Sequence, residues 1–373
     1  MRHRTAVLAL VLVVAAVAPT AGLAAAQTDD GASGGQRSCT FPYTATDATG
    51  TDVTLEADPE RVVTLNPSAA QTMWEIGARD EVVGVSQYAS YLEGADEKAN
   101  VSGASGPSVE RVLAADPDLV LVPNSTYGLA KDRVEQIRDQ GVPVYVFGTG
   151  TSLEFVANKT ETIGRLTGNC EAGQRTAADV CESARLMRKA LADEEKPVGL
   201  NVFYGYTSGN NTFIGDVMTT AGLRNGAAEA GVSGFAQLND ETVVQMDPTW
   251  IVAPEGSPIP NNDAYNSTTA IREGNVVRVD ENNLQQPAPR AVDAAETIMQ
   301  AVHPEAYEEY RSMKQQSNET ATAGTTAATE TTGSTAGQPA TTTAEETQTG
   351  APGFGVAASV VALLGASLLA RRR

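Results

Sequence analysis

Short apolar runs alternate along the chain with stretches whose apolar residues recur at helical spacing. The runs lie near Arg61–Leu65, Val82–Val85, Leu119–Val122 and Val144–Phe147, then near Val198–Phe203, Trp250–Ala253 and Val276–Val279. They are continuously apolar rather than alternating, which is the pattern of strands buried on both faces of a mostly parallel sheet. Between the two sets runs a helical stretch. Thr151 and Glu154 predict a capping box for a helix through about Leu166. After Thr167-Gly168-Asn169, a second helical pattern continues to about Glu195, stopped by Pro197. A helix from Glu171 to Glu194 would be ~36 Å long.

The pattern is duplicated. Residues 108–123 (SVERVLAADPDLVLVP) read as a short helix, an Asp-Pro turn and a buried strand, and residues 239–254 (NDETVVQMDPTWIVAP) repeat them without a gap. Glu110 aligns with Glu241, Asp116-Pro117 with Asp247-Pro248, and Pro123 with Pro254. Upstream, Ala70 to Val85 has a looser echo in Gly215 to Asn225. Two copies ~130 residues apart predict two similar α/β lobes rather than a short-period solenoid. The expected fold is therefore α/β: two similar lobes with mostly parallel sheets, joined by a long helix, with a ligand cleft between them.

Both ends of the chain read as targeting segments. Arg2, His3 and Arg4 precede an apolar run from Ala6 to Ala18, and Ala24-Ala25-Ala26 before Gln27 fits an export cleavage site. That run is about 14 residues, short of the ~20 needed to span a bilayer. At the other end, Pro352-Gly353-Phe354 precedes an apolar stretch from Gly355 to Ala370 and Arg371-Arg372-Arg373. A basic stop after an apolar segment leaves the bulk of the chain outside the cell. This end resembles the PGF-type carboxy-terminal sorting signals of haloarchaea, which are cut and replaced by a lipid anchor. Asn318 to Gly350 is nearly all Thr, Ala, Glu and Gly, too poor in apolar side chains to offset the entropy of ordering. The predicted organisation is a signal peptide (1–26), an amino-terminal arm (27–57), a first lobe (58–150), a helical connector (151–196), a second lobe (197–316), a Thr-rich disordered stalk (317–350) and a sorting signal or membrane anchor (351–373).

A formal charge of −20 disfavours nucleic acid and anionic lipid as partners and suits a halophile's surface. Sequons at Asn100, Asn124, Asn158, Asn210, Asn266 and Asn318 are compatible with a glycosylated exported protein. Cys39, Cys170 and Cys181 allow one disulfide and one thiol. On one continuous helix Cys170 and Cys181 would stand ~16 Å apart, so pairing them needs a break or kink. The other possibility is that Cys39 pins the arm to the body, and the sequence leaves both open.

The segments Arg61-Val-Val-Thr-Leu-Asn-Pro-Ser68, Val82-Val-Gly-Val-Ser86, the Glu110 stretch with its Asp-Pro turn, and Pro289-Arg290 resemble the helical-backbone substrate-binding proteins. That family includes the vitamin B12-binding and ferric-siderophore-binding proteins of ABC importers, and the likeness covers roughly Asp58 to Tyr310. It implies an exported receptor acting as a monomer, with an ABC transporter permease and a small-molecule metal chelate as partners. It also implies that one Glu on each lobe, Glu110 and Glu241, docks into permease arginines. For the ligand face it points to Asn66, Pro67, Ser68, Tyr88, Asn124 and Tyr127. From the second lobe it adds Tyr204, Tyr206, Phe235, Asn282, Asn283 and Arg290. Tyrosines and amides suit a bulky amphipathic chelate, and Arg290 suits an anionic group or, alternatively, a structural salt bridge. Where B12 binders carry tryptophans, this chain has Ala104, Asn124 and Phe235, and their late Asp-Trp pair corresponds to Asn282-Asn283. Trp74 and Trp250 read as core. The ligand expectation is a corrinoid such as cobalamin, with a ferric-siderophore or haem-type iron chelate as the alternative.

An enzyme is not expected. The 2 histidines are His3 and His303, and His303 reads as a surface or capping residue. No Gly-rich phosphate loop, nucleophile elbow or paired-histidine metal motif is present in the sequence. Zinc and manganese binders of related architecture rely on several histidines, so no resident metal or other cofactor is expected, with ferric ion held directly by carboxylates and tyrosines as a minor alternative. A non-transport cell-surface glycoprotein would account for stalk and sequons but not for the duplicated lobes.

Overall fold

The computed structural model describes residues 39–331, with side chains through 320. The expected signal peptide, the first part of the expected arm, most of the expected stalk and the carboxy-terminal segment lie outside the described residues.

The first sheet contains β3 (Val62–Thr64), β4 (Val82–Val85), β5 (Ala99–Asn100), β6 (Leu119–Val122) and β7 (Val144–Val146), following a hairpin of β1 (Tyr43–Thr46) and β2 (Asp52–Leu55). Its order is β5-β4-β3-β6-β7, all parallel. The second contains β8 (Val198–Asn201), β9 (Arg224–Asn225), β10 (Trp250–Pro254) and β11 (Val276–Val279), in the order β9-β8-β10-β11, again all parallel. The second order equals the first without its edge strand β5, so the duplication seen in the sequence is a duplication of topology. Each residue of β6 is 0% exposed, because helices cover both faces of the sheet.

The helices that frame the lobes and connector include α1 (Pro67–Glu75), α2 (Val109–Ala114), α3 (Asn124–Asp139), α4 (Leu153–Leu166), α5 (Cys170–Ala190), α6 (Phe213–Thr220), α7 (Asp240–Met246), α8 (Glu281–Gln285), α9 (Ala291–Val302) and α10 (Pro304–Thr331). In both copies of the repeated motif the helix starts on a side-chain cap: Ser108 accepts from the Arg111 amide, Asn239 from the Thr242 amide. Both Asp-Pro turns put the aspartate in left-handed backbone, Asp116 at φ 49° and Asp247 at φ 40°. Aspartate tolerates that region better than most side chains, and the following proline cannot continue a helix.

The connector is a pair of packed helices. The long helix expected from the sequence is α5, which ends at Ala190 rather than near Glu195, and α4 lies along it. At their crossing Gly164 meets Gly173: a Cβ on Gly164 would stand 2.8 Å from the Gly173 Cα, so only glycine lets the backbones approach this closely. The cap of α4 is Ser152, which accepts from the Phe155 amide at 3.1 Å, and not Thr151. Glu154 falls in the first turn, where it complements the helix dipole instead of closing a box. One end of α4 sends Leu153 and Val156 into the second lobe's core, while the other sends Ile163 and Leu166 into the first lobe's. The lobes and connector belong to one compact unit.

Two further expectations are revised. Residues 43–57 of the predicted arm are part of the first lobe: Leu55 joins its core, and the buried Asp47 pairs with Arg138 while accepting the Val146 amide. The last helix continues to Thr331, past the expected stalk boundary at 317, because Gln315, Gln316, Glu319 and Ala321 are compatible with helix. Of the two alternatives for His303, the capping one holds: it is buried, ends α9, and its Nε2 lies 3.1 Å from the Gly222 carbonyl oxygen. Trp74 and Trp250 are half-buried at the margins of the two cores. The cysteine alternatives resolve to Cys39–Cys170, with Cα atoms 5.5 Å apart, leaving Cys181 as an exposed thiol.

Candidate functional site

Parallel strands deliver their following loops to one edge of each sheet, and here the two edges face each other. The first lobe contributes the loops after β3, β4, β6 and β7; the second contributes those after β8 and β11 and the residues around Phe235. Cavities of about 260 and 450 Å³ have walls from both lobes, and one of about 330 Å³, lined by the first lobe, adjoins them. Ser125 lines the first and third, Asn66, Pro67, Gln87 and Tyr88 line the second and third, and Gln285 lines the first and second. Shared walls join them into one cleft.

The loop geometry is fixed locally. Asn66 caps α1 by accepting the Ser68 amide at 2.7 Å, and Pro67 occupies the first helical position, where it needs no amide donor. This sets Ser68 at the floor of the first cavity, where its Oγ accepts from Lys159 Nζ at 3.0 Å. The same ammonium donates to the Pro287 carbonyl at 2.7 Å. Lys159 is therefore bonded to both sides of the cleft, and burial pushes its pKa down to about 7.

Of the residues singled out in the sequence, Asn66, Pro67, Ser68, Tyr88, Asn124, Phe235 and Asn282 line the cavities. Tyr204 and Tyr206 are 60% and 45% exposed. With Phe203 and Phe235, Tyr206 forms an aromatic group whose ring centroids lie 5.7–6.1 Å apart. Tyr204 carries φ 48° and is held by its amide, which donates to Ser257 Oγ at 3.0 Å.

Besides Tyr204 and Tyr206, three candidates line none of these cavities. Tyr127 packs on the first lobe's core and donates to Glu135 at 2.8 Å. Asn283 contributes its backbone amide to the Asp280 cap and lines none of the three cavities. Arg290 pairs with Glu75 at 2.7 Å, and its amide donates to Gln71 Oε1 at 3.1 Å. It ties the second lobe to α1, which is the structural alternative for that residue.

Sequence reasoning missed Lys159, Gln285 and Phe147. The signal for Lys159 was present: it stands four and seven residues before Ile163 and Leu166, on the buried stripe of α4. Its place in the Asn158 sequon drew attention to the neighbouring asparagine instead.

Glu110 and Glu241 occupy the same second position of α2 and α7, and both are exposed. Gln245 Nε2 donates to Glu241 Oε1 at 3.0 Å, which steadies that carboxylate.

Two parallel-sheet lobes around one open cleft, braced by a helical connector, are the architecture of a solute-binding protein. The chain belongs to the periplasmic binding protein family, whose profile matches residues 62–283. It is 41% identical over 319 residues to the cobalamin-binding protein of Halobacterium salinarum, covering 81% of this chain and 85% of that protein. It is 29% identical over 322 residues to an ABC transporter substrate-binding lipoprotein of Bacillus subtilis, covering 83% and 100%. Among solved structures, the periplasmic haem-binding protein RhuT of Roseiflexus aligns with TM-score 0.59 and 26% identity, over 67% of this chain and 99% of that one. Residues 351–373 match the PGF-CTERM motif, so the chain is extracytoplasmic and anchored at the cell surface through its carboxyl end. As a member of this family it is a solute binder and not an enzyme.

Proposed function

We propose that this protein captures a corrinoid, vitamin B12 or a close relative, in the interlobe cleft and delivers it to an ABC importer. The carrying observation is the 41% identity to a cobalamin-binding protein, which spans both lobes and therefore the whole cleft. The site's chemistry supports it. Tyr88, Tyr206 and Phe235 expose apolar faces at 68%, 45% and 59%, and amides at Asn66, Asn124 and Gln285 line the walls, a combination that suits a large macrocycle with an amide-rich rim. The 26% likeness to a haem-binding protein favours a haem-type iron chelate as the second reading.

Delivery runs through Glu110 and Glu241, each docking on arginines of the permease. At ~1 M salt the Debye length is ~3 Å, so docking relies on contact pairs rather than long-range steering. The protein works as a monomer, and because α4 is rooted in both cores the lobes close only slightly; scattering profiles with and without ligand should nearly superimpose. Equilibrium dialysis against cobalamin, cobinamide, haem and ferric hydroxamates tests the ligand. Binding confined to the corrinoids supports the reading. Binding of haem alone transfers it to iron chelates, and binding of none returns the protein to a structural surface role.

A further inference from the structure

The floor of the cleft holds hydrogen-bond donors without matching acceptors. Lys159 is 5% exposed, and its two partners, the Ser68 hydroxyl and the Pro287 carbonyl, are both neutral. An ammonium has three donors, so one N–H remains. Around it, α1 presents Ser68, the loop after β7 presents the Phe147 ring at 6.0 Å, and the chain after α8 presents Pro287. Lys159 is the single charged residue in the lining of the first cavity, which contains no carboxylate. Gln285 lines the same cavity, and its Nε2 is fully buried with no partner. A buried cation without a counter-charge is costly, and so is a buried amide donor left unpaired. Both costs are relieved by one event, the arrival of an acceptor carrying negative charge.

We propose that Lys159 and Gln285 form a donor pair at the floor of the cleft that receives an anionic oxygen group of the ligand, a phosphate ester or a carboxylate. This rests on the corrinoid reading and specifies which part of such a ligand the protein reads. The apolar rings at the rim hold the macrocycle, and the donor pair discriminates between corrinoids by their charged appendage. Desolvation holds the Lys159 ammonium near neutrality in the empty cleft. An arriving anion favours the charged form, so binding above pH 7 takes up a proton.

The test compares wild type, Lys159→Met and Gln285→Leu in titrations with three probes. Cobalamin carries a phosphodiester, cobyric acid a carboxylate, and cobinamide neither. Wild type is expected to bind cobalamin or cobyric acid at least ~10-fold more tightly than cobinamide, as a charge-assisted bond should provide. Whichever of the two is preferred identifies the source of the anion. Lys159→Met should erase the preference, the anionic probe losing at least ~10-fold more affinity than cobinamide, and Gln285→Leu should reduce it. Calorimetry at pH 8 in buffers of different ionisation heat should show proton uptake with the anionic probe and none with cobinamide.

Equal affinity of wild type for all three probes, or an equal loss for all three in Lys159→Met, would overturn the proposal and leave Lys159 as an interlobe strut. Absence of proton uptake would do the same. If Lys159→Met does not fold, the wild-type preference and proton uptake still decide. If wild type binds no corrinoid at all, the corrinoid reading fails and takes the donor pair with it, an outcome distinct from the other two.

Discussion

The two lobes share a strand order and a capped turn bearing an exposed glutamate, yet they differ at their edges and in their strand-end loops. The first lobe adds the edge strand β5, the β1–β2 hairpin and the Cys39–Cys170 bridge. The second lacks these and instead exposes the aromatics Tyr204, Tyr206 and Phe235, of which Phe235 lines the cleft. Even the matched Asp-Pro turns are held differently. Arg61 donates to the Asp116 carbonyl at 2.7 Å in the first copy, whereas the Asp247 carboxylate accepts from the Thr269 hydroxyl at 3.0 Å in the second. The lesson is that the sheet order and the glutamate turn were kept as a frame, while the strand-end loops and local braces diverged.

The largest effect should come from the asymmetric brace. Cys39→Ser with Cys170→Ser opens a link across 131 residues, and the chain-entropy model assigns such a loop about 5 kcal/mol. A fall in Tm of roughly 10 °C is expected for a chain of this size. A change below 2 °C would mean that the amino-terminal hairpin is held by its hydrogen bonds alone.

The glutamates test the symmetric side of the comparison. Truncating one partner of a buried, hydrogen-bonded charge pair costs about 2–5 kcal/mol. Glu110→Ala and Glu241→Ala should therefore each lower permease affinity at least ~30-fold, to a similar extent, with the double change worst. Ligand affinity should stay within about twofold. Unequal single effects would show that the lobes do not share docking evenly, and a large loss of ligand affinity would move these residues into the cleft.

At the seam between the lobes, Lys159 should make the empty protein pH-dependent. Its folded pKa of about 7 lies below its unfolded value, so between about pH 7 and 10 the unfolded chain binds the extra proton. Stability therefore rises with pH across that window, by at most a few kcal/mol. Denaturant titrations should show this rise in wild type and its loss in Lys159→Met.

The smallest effects separate the diverged loops from the frame. Phe235→Ala should weaken ligand binding ~10-fold with little change in stability, as an anchor ring at a cleft does. Tyr127→Ala should lower stability by about 1 kcal/mol, through its lost bond to Glu135, and leave ligand affinity unchanged. The reverse pattern would place the ligand on the α3 side of the first lobe.

Much of the frame was legible in the sequence. All seven strands read from apolar runs are present within a residue or two, because a strand buried on both faces must be apolar throughout. The Glu110 and Glu241 helices were legible because the same segment occurs twice. The cleft was legible only in part. Tyr127 packs on the first lobe's core, and Arg290 forms the ion pair that was its structural alternative. Residue type alone does not separate a tyrosine under a helix from one at a rim.

The chain's order of apolar runs and breakers settled two lobes, parallel sheets, the surface location and the paired glutamates, since each depends on local periodicity or a contiguous signal. Tertiary structure alone decided the disulfide partner, the Gly164–Gly173 crossing and the burial of Lys159 between Ser68 and Pro287. Those contacts join residues about 90 to 130 positions apart, or depend on where two helices cross, and no local pattern encodes which distant groups a fold brings within bonding distance.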